Sequence, residues 1–129
     1  MKILIFGLPG SGKTTFAKQL RKNLNVAYFN GDEVRTMFND WDFSKKARLV
    51  QAIRMQKLCE IAGEKDCVID FICPCSTFRT YYDVTVWMNT ISHSQHEDTN
   101  KLFEKPVKVD YEVKNFNYKK ILKEITSRF

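Results

Sequence analysis

The sequence predicts a three-layer α/β/α domain whose central sheet is mainly parallel. Two observations support this prediction: apolar strands alternate with amphipathic helices, and a glycine-rich turn joins the first strand to the first helix. Of the 129 residues, 43% are hydrophobic, five are glycine and three are proline, which is typical of an ordered globular protein. We therefore predict a single domain over residues 1–129.

Each predicted element rests on its apolar pattern. The segment 2–6 has no polar alternation, as expected of a strand buried on both faces, whereas Ser44 is a good N-cap for a long helix. The predicted strands are 2–6, 26–29, 67–72, 84–88 and 108–113, and the predicted helices are 14–24, 45–62, 77–83 and one from about 118 to the C-terminus. The long helix should bury the stripe Leu49, Ala52, Ile53, Met55, Cys59 and Ala62. The polar segment after 88 is expected to be a long loop.

The turn after the first strand fits the phosphate-binding pattern G-x-x-x-x-G-K-[ST] at every fixed position. Its glycines let successive N–H groups face phosphate oxygens, and the following helix directs its positive dipole end at the same anion. Lys13 should reach the β- and γ-phosphates, and the hydroxyl of Thr14 suits Mg²⁺. The sequence thus predicts a P-loop NTPase-type domain with ATP and Mg²⁺ as cofactors. The expected cofactor-binding residues are Gly7, Leu8, Pro9, Gly10, Ser11, Gly12, Lys13, Thr14 and Thr15.

Polar residues after the later strands should meet at the same edge of the sheet. Asp32 is placed to accept the proton of an attacking hydroxyl or to hold the water shell of the metal. Asp70 ends an apolar strand, so its carboxylate needs a metal, a cation or several donors; a metal ligand and a structural salt bridge are both open. Guanidinium groups suited to phosphate or sulfate come from Arg35, Arg48, Arg54 and Arg79.

Four segments together resemble the adenylylsulfate kinase family, in register from residue 1 to about 90. They are Gly-Leu-Pro-Gly-Ser-Gly-Lys-Thr-Thr, then 30–35, then Asp-Phe-Ser at 42–44 with Arg48, then 71–74. The resemblance implies transfer of the γ-phosphoryl of ATP to the 3′-hydroxyl of adenosine 5′-phosphosulfate, by a homodimer. It implies Lys13 and Asp32 as catalytic residues, with Asp32 also serving the metal. For substrate binding it implies phosphosulfate contacts by Arg35 and Arg48, adenine stacking on Phe43, and contacts from Gln51 and Ile72.

The sequence departs from the family pattern at three places. Asn30 replaces the first acid of Asp-Gly-Asp, and we expect Asp70 to supply the missing metal ligand. Cys73 replaces the usual serine of Phe-Ile-Ser-Pro. Residues 91–106 replace a long lid and resemble those of a compact adenylylsulfate-kinase-like subgroup. In that subgroup Lys101 or Phe103 would take over part of the lid's role; a plain connecting loop is the alternative.

Other functions remain open at the level of the sequence. A kinase of another nucleoside, nucleotide or polynucleotide 5′-hydroxyl would keep the same motifs, and a non-catalytic ATP-binding switch would keep the phosphate loop. The net charge of +6 suits an anionic partner, but the dispersed lysines and arginines argue against nucleic acid. We expect a cytoplasmic protein, because no apolar run approaches the length of a membrane span and no signal peptide precedes the first strand.

Overall fold

A computed structural model describes residues 1–129 and contains five strands and six helices. The strands are β1 (Lys2–Phe6), β2 (Ala27–Asn30), β3 (Cys67–Asp70), β4 (Val84–Met88) and β5 (Tyr111–Val113). The helices are α1 (Lys13–Arg21), α2 (Gly31–Phe38), α3 (Lys45–Ile61), α4 (Ser76–Arg79), α5 (Glu97–Leu102) and α6 (Lys119–Thr126). No helix combines the length and the apolar character that crossing a membrane requires.

All five strands pair in parallel, in the order β2-β3-β1-β4-β5. Side chains alternate across β1, so that Ile3 and Ile5 face one core with α1 and α6, while Leu4 and Phe6 face the other with α2 and α3. The three-layer α/β/α prediction is confirmed. The chain moves from one side of β1 to the other between β3 and β4, which makes the carboxyl end of β1 a switch point of the kind where such sheets bind ligands.

Two helices were not expected from the sequence. The polar segment after β2 forms α2, whose N-cap Asn30 accepts a hydrogen bond from the backbone N–H of Glu33 at 3.0 Å. An eight-residue helix that starts with glycine is too short to show a clear period. The expectation of a structureless 89–106 was also wrong, because α5 lies within it.

Several predicted boundaries and one predicted core face need correction. Helix α1 ends at Arg21 instead of 24, and α4 covers only Ser76–Arg79 instead of 77–83. Strand β3 ends at Asp70 instead of 72, and β5 covers only three residues at the sheet edge. On α3, Ala52, Met55 and Cys59 are buried as expected, but Leu49 and Ile53 are 37% and 48% exposed. The helix is rotated because it buries polar side chains instead: Arg48 and Gln51 face the cleft beside α2.

Candidate active site

The loop between β1 and α1 is shaped by its glycines. Gly12 caps α1 with φ 92°, a left-handed conformation that side chains disfavour. Gly7 is confined by the neighbouring strand, since a Cβ there would lie 2.7 Å from the carbonyl oxygen of Met88. The loop is braced from outside, because the Thr90 hydroxyl donates to the Ser11 carbonyl at 2.7 Å. Backbone N–H groups at a helix N-terminus therefore surround a site suited to phosphate.

Lys13 folds back over this loop. Its Nζ donates to the carbonyl oxygen of Leu8 at 2.9 Å. Burial lowers the pKa of Lys13 to about 8, and the negative charges of Asp70 and Asp32 oppose part of that shift. The phosphates of a nucleotide bring several negative charges to this amine. Nucleotide binding and protonation of Lys13 therefore favour one another.

Asp70 occupies the carboxyl end of β3, opposite Asn30 of β2 in the sheet register. Its Oδ1 accepts from the Asn30 side-chain amide at 2.9 Å and lies 3.4 Å from the Thr14 hydroxyl, and its Oδ2 accepts from the Tyr28 hydroxyl. Burial raises the pKa of Asp70, and these hydrogen bonds counter the increase. Uncharged donors thus satisfy the carboxylate, and no salt bridge is formed.

A cavity of about 520 Å³ opens beside the loop. It joins loop residues, including Lys13 and Thr14, to side chains from α2, α3 and the segment after β3. The sequence-predicted residues that line it are Pro9, Gly10, Gly12, Lys13, Thr14, Thr15, Asp32, Arg35, Phe43, Arg48, Gln51, Asp70 and Ile72. One continuous space can therefore hold a donor phosphate chain and a second ligand.

Two buried arginines and one aromatic ring form the far end of the cavity, which we call the acceptor end. The guanidinium carbons of Arg35 and Arg48 lie 4.5 and 5.5 Å from the centre of the Phe43 ring. Phe43 itself is 40% exposed. A flat ring with two cations at its side suits a ligand that combines a heterocycle with an anion.

Each arginine is held by part of its guanidinium group. Arg35 donates from Nη1 to the carbonyl oxygens of Asp40 and Asp42, both at 3.0 Å. Arg48 donates from Nε to the Phe43 carbonyl at 2.8 Å and from Nη2 to the Thr99 hydroxyl at 2.8 Å. The Nη2 of Arg35 and the Nη1 of Arg48 make no hydrogen bond within the chain, so both groups can donate to a ligand.

Several predicted residues lie outside the cavity lining. Leu8, Gly7 and Ser11 support the loop from behind instead. Lys101 is exposed and does not reach the cavity. The Phe103 ring stacks on the Phe6 ring, with 6.3 Å between their centres. Phe103 therefore anchors α5 instead of serving as part of a lid.

The arginines expected on the ligand side divide into two pairs. Arg35 and Arg48 line the cavity, whereas Arg54 binds the Asp40 carboxylate at 2.8 Å. Arg79 is buried between the rings of Phe6 and Phe103 and donates to backbone carbonyls. Side-chain type alone could not separate the pairs, because all four side chains carry the same guanidinium group.

Three cavity residues were missed by sequence reasoning: His96, Asp98 and Thr99. Thr99 is 3% exposed and Asp98 lies 3.5 Å from Arg48, which precedes it by fifty residues in the chain. No spacing rule connects positions so far apart. The available signal was the resemblance of 97–103 to the compact subgroup, which led to Lys101 and Phe103 instead.

The family model described as "AAA domain" matches residues 3–90. Cytidine diphosphoramidate kinase from Campylobacter jejuni is 28% identical over 86 residues, covering 63% of this chain; the chain spans about half the length of that relative. Among solved structures, the Mycobacterium tuberculosis APS kinase in complex with AMPPNP and APS matches 98% of this chain and 95% of its own, with TM-score 0.74 and 17% identity. Shikimate kinase from Aquifex aeolicus matches 99% and 95%, with TM-score 0.69 and 19% identity. The fold is that of small P-loop kinases.

Proposed function

This chain belongs to the AAA domain family, and we propose that it transfers the γ-phosphoryl group of ATP to the 3′-hydroxyl of adenosine 5′-phosphosulfate. The product is 3′-phosphoadenosine 5′-phosphosulfate. The observation that carries the proposal is the acceptor end, where Phe43 lies against the guanidinium groups of Arg35 and Arg48 in the same cavity as the phosphate loop. An aromatic platform for adenine beside two anion-binding groups matches the chemistry of this acceptor.

ATP would lie with its phosphates in the loop between β1 and α1. Lys13 and the N-terminus of α1 would balance the charge of the β- and γ-phosphates. The exposed ring of Phe116 lies 3.0 Å from where a Cβ on Gly12 would be, and the donor base would stack on this ring. Donor and acceptor would then approach each other along the cavity.

Asp32 would act as the general base. It stands in the first turn of α2 and lines the cavity, where its negative charge acts on both Lys13 and Arg35. Its carboxylate would take the proton of the 3′-hydroxyl as that oxygen forms a bond to the γ-phosphorus, while the bond from the γ-phosphorus to the bridging oxygen breaks and ADP leaves. Phosphoryl transfer needs little more than this alignment and charge balance.

The loop edge suits Mg²⁺, because a hydroxyl and a carboxylate, Thr14 and Asp70, lie 3.4 Å apart beside the phosphate site. Thr14, Asp32 and Asp70 would hold the ion, and the bound ion would neutralise phosphate charge. Asp70→Asn should weaken Mn²⁺ binding to the nucleotide-loaded protein about tenfold, measured by electron paramagnetic resonance. Unchanged Mn²⁺ binding together with unchanged Mg²⁺-dependent turnover would exclude Asp70, and Glu60→Gln on α3 is the control.

A coupled assay of ADP release tests the proposed reaction. The purified protein would be given ATP, Mg²⁺ and either adenosine 5′-phosphosulfate or a panel of nucleosides, nucleotides and 5′-hydroxyl oligonucleotides. We expect turnover with the phosphosulfate that Lys13→Ala and Asp32→Ala both abolish. ATP binding without turnover on any acceptor would instead favour a nucleotide-dependent switch.

A cytidine nucleotide is the second candidate acceptor. The 28% sequence identity with cytidine diphosphoramidate kinase over 86 residues supports this candidate, and the Phe43 ring can stack on any base. Cytidine diphosphoramidate therefore belongs in the same panel. Faster turnover of that compound than of the phosphosulfate would keep the fold and the phosphate chemistry and change the acceptor.

A homodimer is also proposed. Exposed apolar side chains support it, and they come from α2, α3 and the segment between them. They are Met37, Phe38, Trp41, Leu49, Val50 and Ile53. Sedimentation equilibrium should give twice the chain mass of 15.2 kDa, and a monomer at micromolar concentration would contradict this.

A further inference from the structure

The acceptor end contains a carboxylate that an anion-binding cavity does not obviously need. Asp98 lines the cavity, and its Oδ2 lies 3.5 Å from Nη2 of Arg48. The Asp98 side chain is itself 69% exposed, whereas the Arg48 side chain that it contacts is buried. A negative side chain next to a phosphate or sulfate site weakens the binding of anions, and the strength of that effect depends on the charge of the anion.

Arg48 remains available to a ligand while it contacts Asp98. Its Nε and Nη2 are committed to Phe43 and Thr99, whereas Nη1 makes no hydrogen bond within the chain. Asp98 thus compensates the charge of Arg48 without covering the edge that can donate to a ligand. An anionic ligand group bound to Nη1 would be attracted by the Arg48 guanidinium group and repelled by the Asp98 carboxylate.

The same balance occurs at the second arginine of the acceptor end. Asp40 lies 3.9 Å from Arg35, but it also binds Arg54 at 2.8 Å. Arg35, Arg48 and Arg54 therefore share two carboxylates, Asp40 and Asp98. This is a weaker anion site than two uncompensated arginines would form.

Asp98 is presented from a fixed segment. Before α5, the Asn100 amide binds Ser94 through both its oxygen and its nitrogen. After α5, the Glu104 backbone N–H donates to Pro74, and the Glu104 carboxylate accepts two hydrogen bonds from Ser76. These contacts fix the backbone that presents Asp98 to Arg48.

Building on the proposed function, we propose that Asp98 makes the cavity select acceptors whose terminal group carries one negative charge over acceptors that end in a phosphate dianion. A sulfate group carries one charge, whereas a terminal phosphate carries close to two at pH 7. The second charge would be repelled by Asp98 at the position where Arg48 donates. Adenosine 5′-phosphosulfate and ADP differ only in this terminal group, so they form a matched pair.

An internal competition assay measures this selection. Both acceptors are mixed at equal concentration with ATP labelled in its γ-phosphate, and the ratio of the labelled products equals the ratio of their kcat/KM values. ADP bound in the donor site slows both reactions equally and leaves the ratio unchanged. The proteins compared are the wild type, Asp98→Asn, Asp98→Glu and, as a control from the same helix, Glu97→Gln.

We expect Asp98→Asn to lower the preference for the phosphosulfate about fivefold, the effect of one charge at a partly exposed site. Asp98→Glu and Glu97→Gln should keep the wild-type ratio. An unchanged ratio in Asp98→Asn, with both products formed, would overturn the role of Asp98 and leave the proposed function standing. No labelled product from either acceptor in the wild type would overturn both.

Discussion

The two ends of the cavity are built in different ways. The phosphate end comes from one continuous stretch, β1, its loop and α1, and it presents mainly backbone N–H groups. The acceptor end joins side chains of α2, α3 and α5, and its Arg48 to Thr99 hydrogen bond spans fifty-one residues. A local, backbone-built site can therefore serve any nucleoside triphosphate, whereas selection between acceptors depends on distant side chains brought together by the fold.

Asp32 stands between the two ends and should separate chemistry from binding most sharply. Asp32→Ala should lower kcat about a thousandfold, because the acceptor hydroxyl loses its general base. ATP affinity, measured by calorimetry in the absence of acceptor, should change little. Glu33→Ala, in the same turn of α2, is the control; an equal loss of turnover there would mean that α2 itself was disturbed.

Phe43 should affect the acceptor end alone. Phe43→Ala should raise KM for adenosine 5′-phosphosulfate about tenfold, since the loss of one base stack costs about 1–3 kcal/mol. KM for ATP should stay at its wild-type value. Phe129→Ala removes an exposed ring that does not line the cavity, and it should leave both constants unchanged. Equal increases in both KM values would contradict the prediction that Phe43 serves the acceptor end alone.

Thr99 tests the long-range contact within the acceptor end. Thr99→Val keeps the shape of the side chain but removes the acceptor of the Arg48 hydrogen bond. KM for the acceptor should rise about fivefold, the typical weight of one hydrogen bond, with kcat nearly unchanged. Thr80→Val, which removes an exposed hydroxyl bonded to the Thr77 carbonyl, should have no effect. An unchanged KM in Thr99→Val would show that Arg48 needs no support from α5.

Lys13 offers the smallest but most specific test of the phosphate end. Its pKa of about 8 in the free protein should rise when phosphates bind, so ATP binding at pH 8 should take up about half a proton. At pH 6.5 the amine is already charged and the uptake should vanish. Calorimetry in buffers of different ionisation enthalpy measures this, and Lys13→Arg should take up none at either pH. Absence of uptake at pH 8 in the wild type would contradict a buried Lys13.

The same difference between local and long-range contacts separates the features that could be predicted from those that could not. The phosphate loop, the strands 2–6 and 84–88 and the three-layer fold could be predicted. The loop motif and the buried strands each depend on residues that are adjacent in the sequence. The rotation of α3 could not, since its polar Arg48 and Gln51 are buried only because α2 and α5 supply partners. Asp98 and Thr99, rather than Lys101, reach the cavity because of the way α5 packs against α3. These choices depend on contacts between segments about fifty residues apart, which no local pattern encodes.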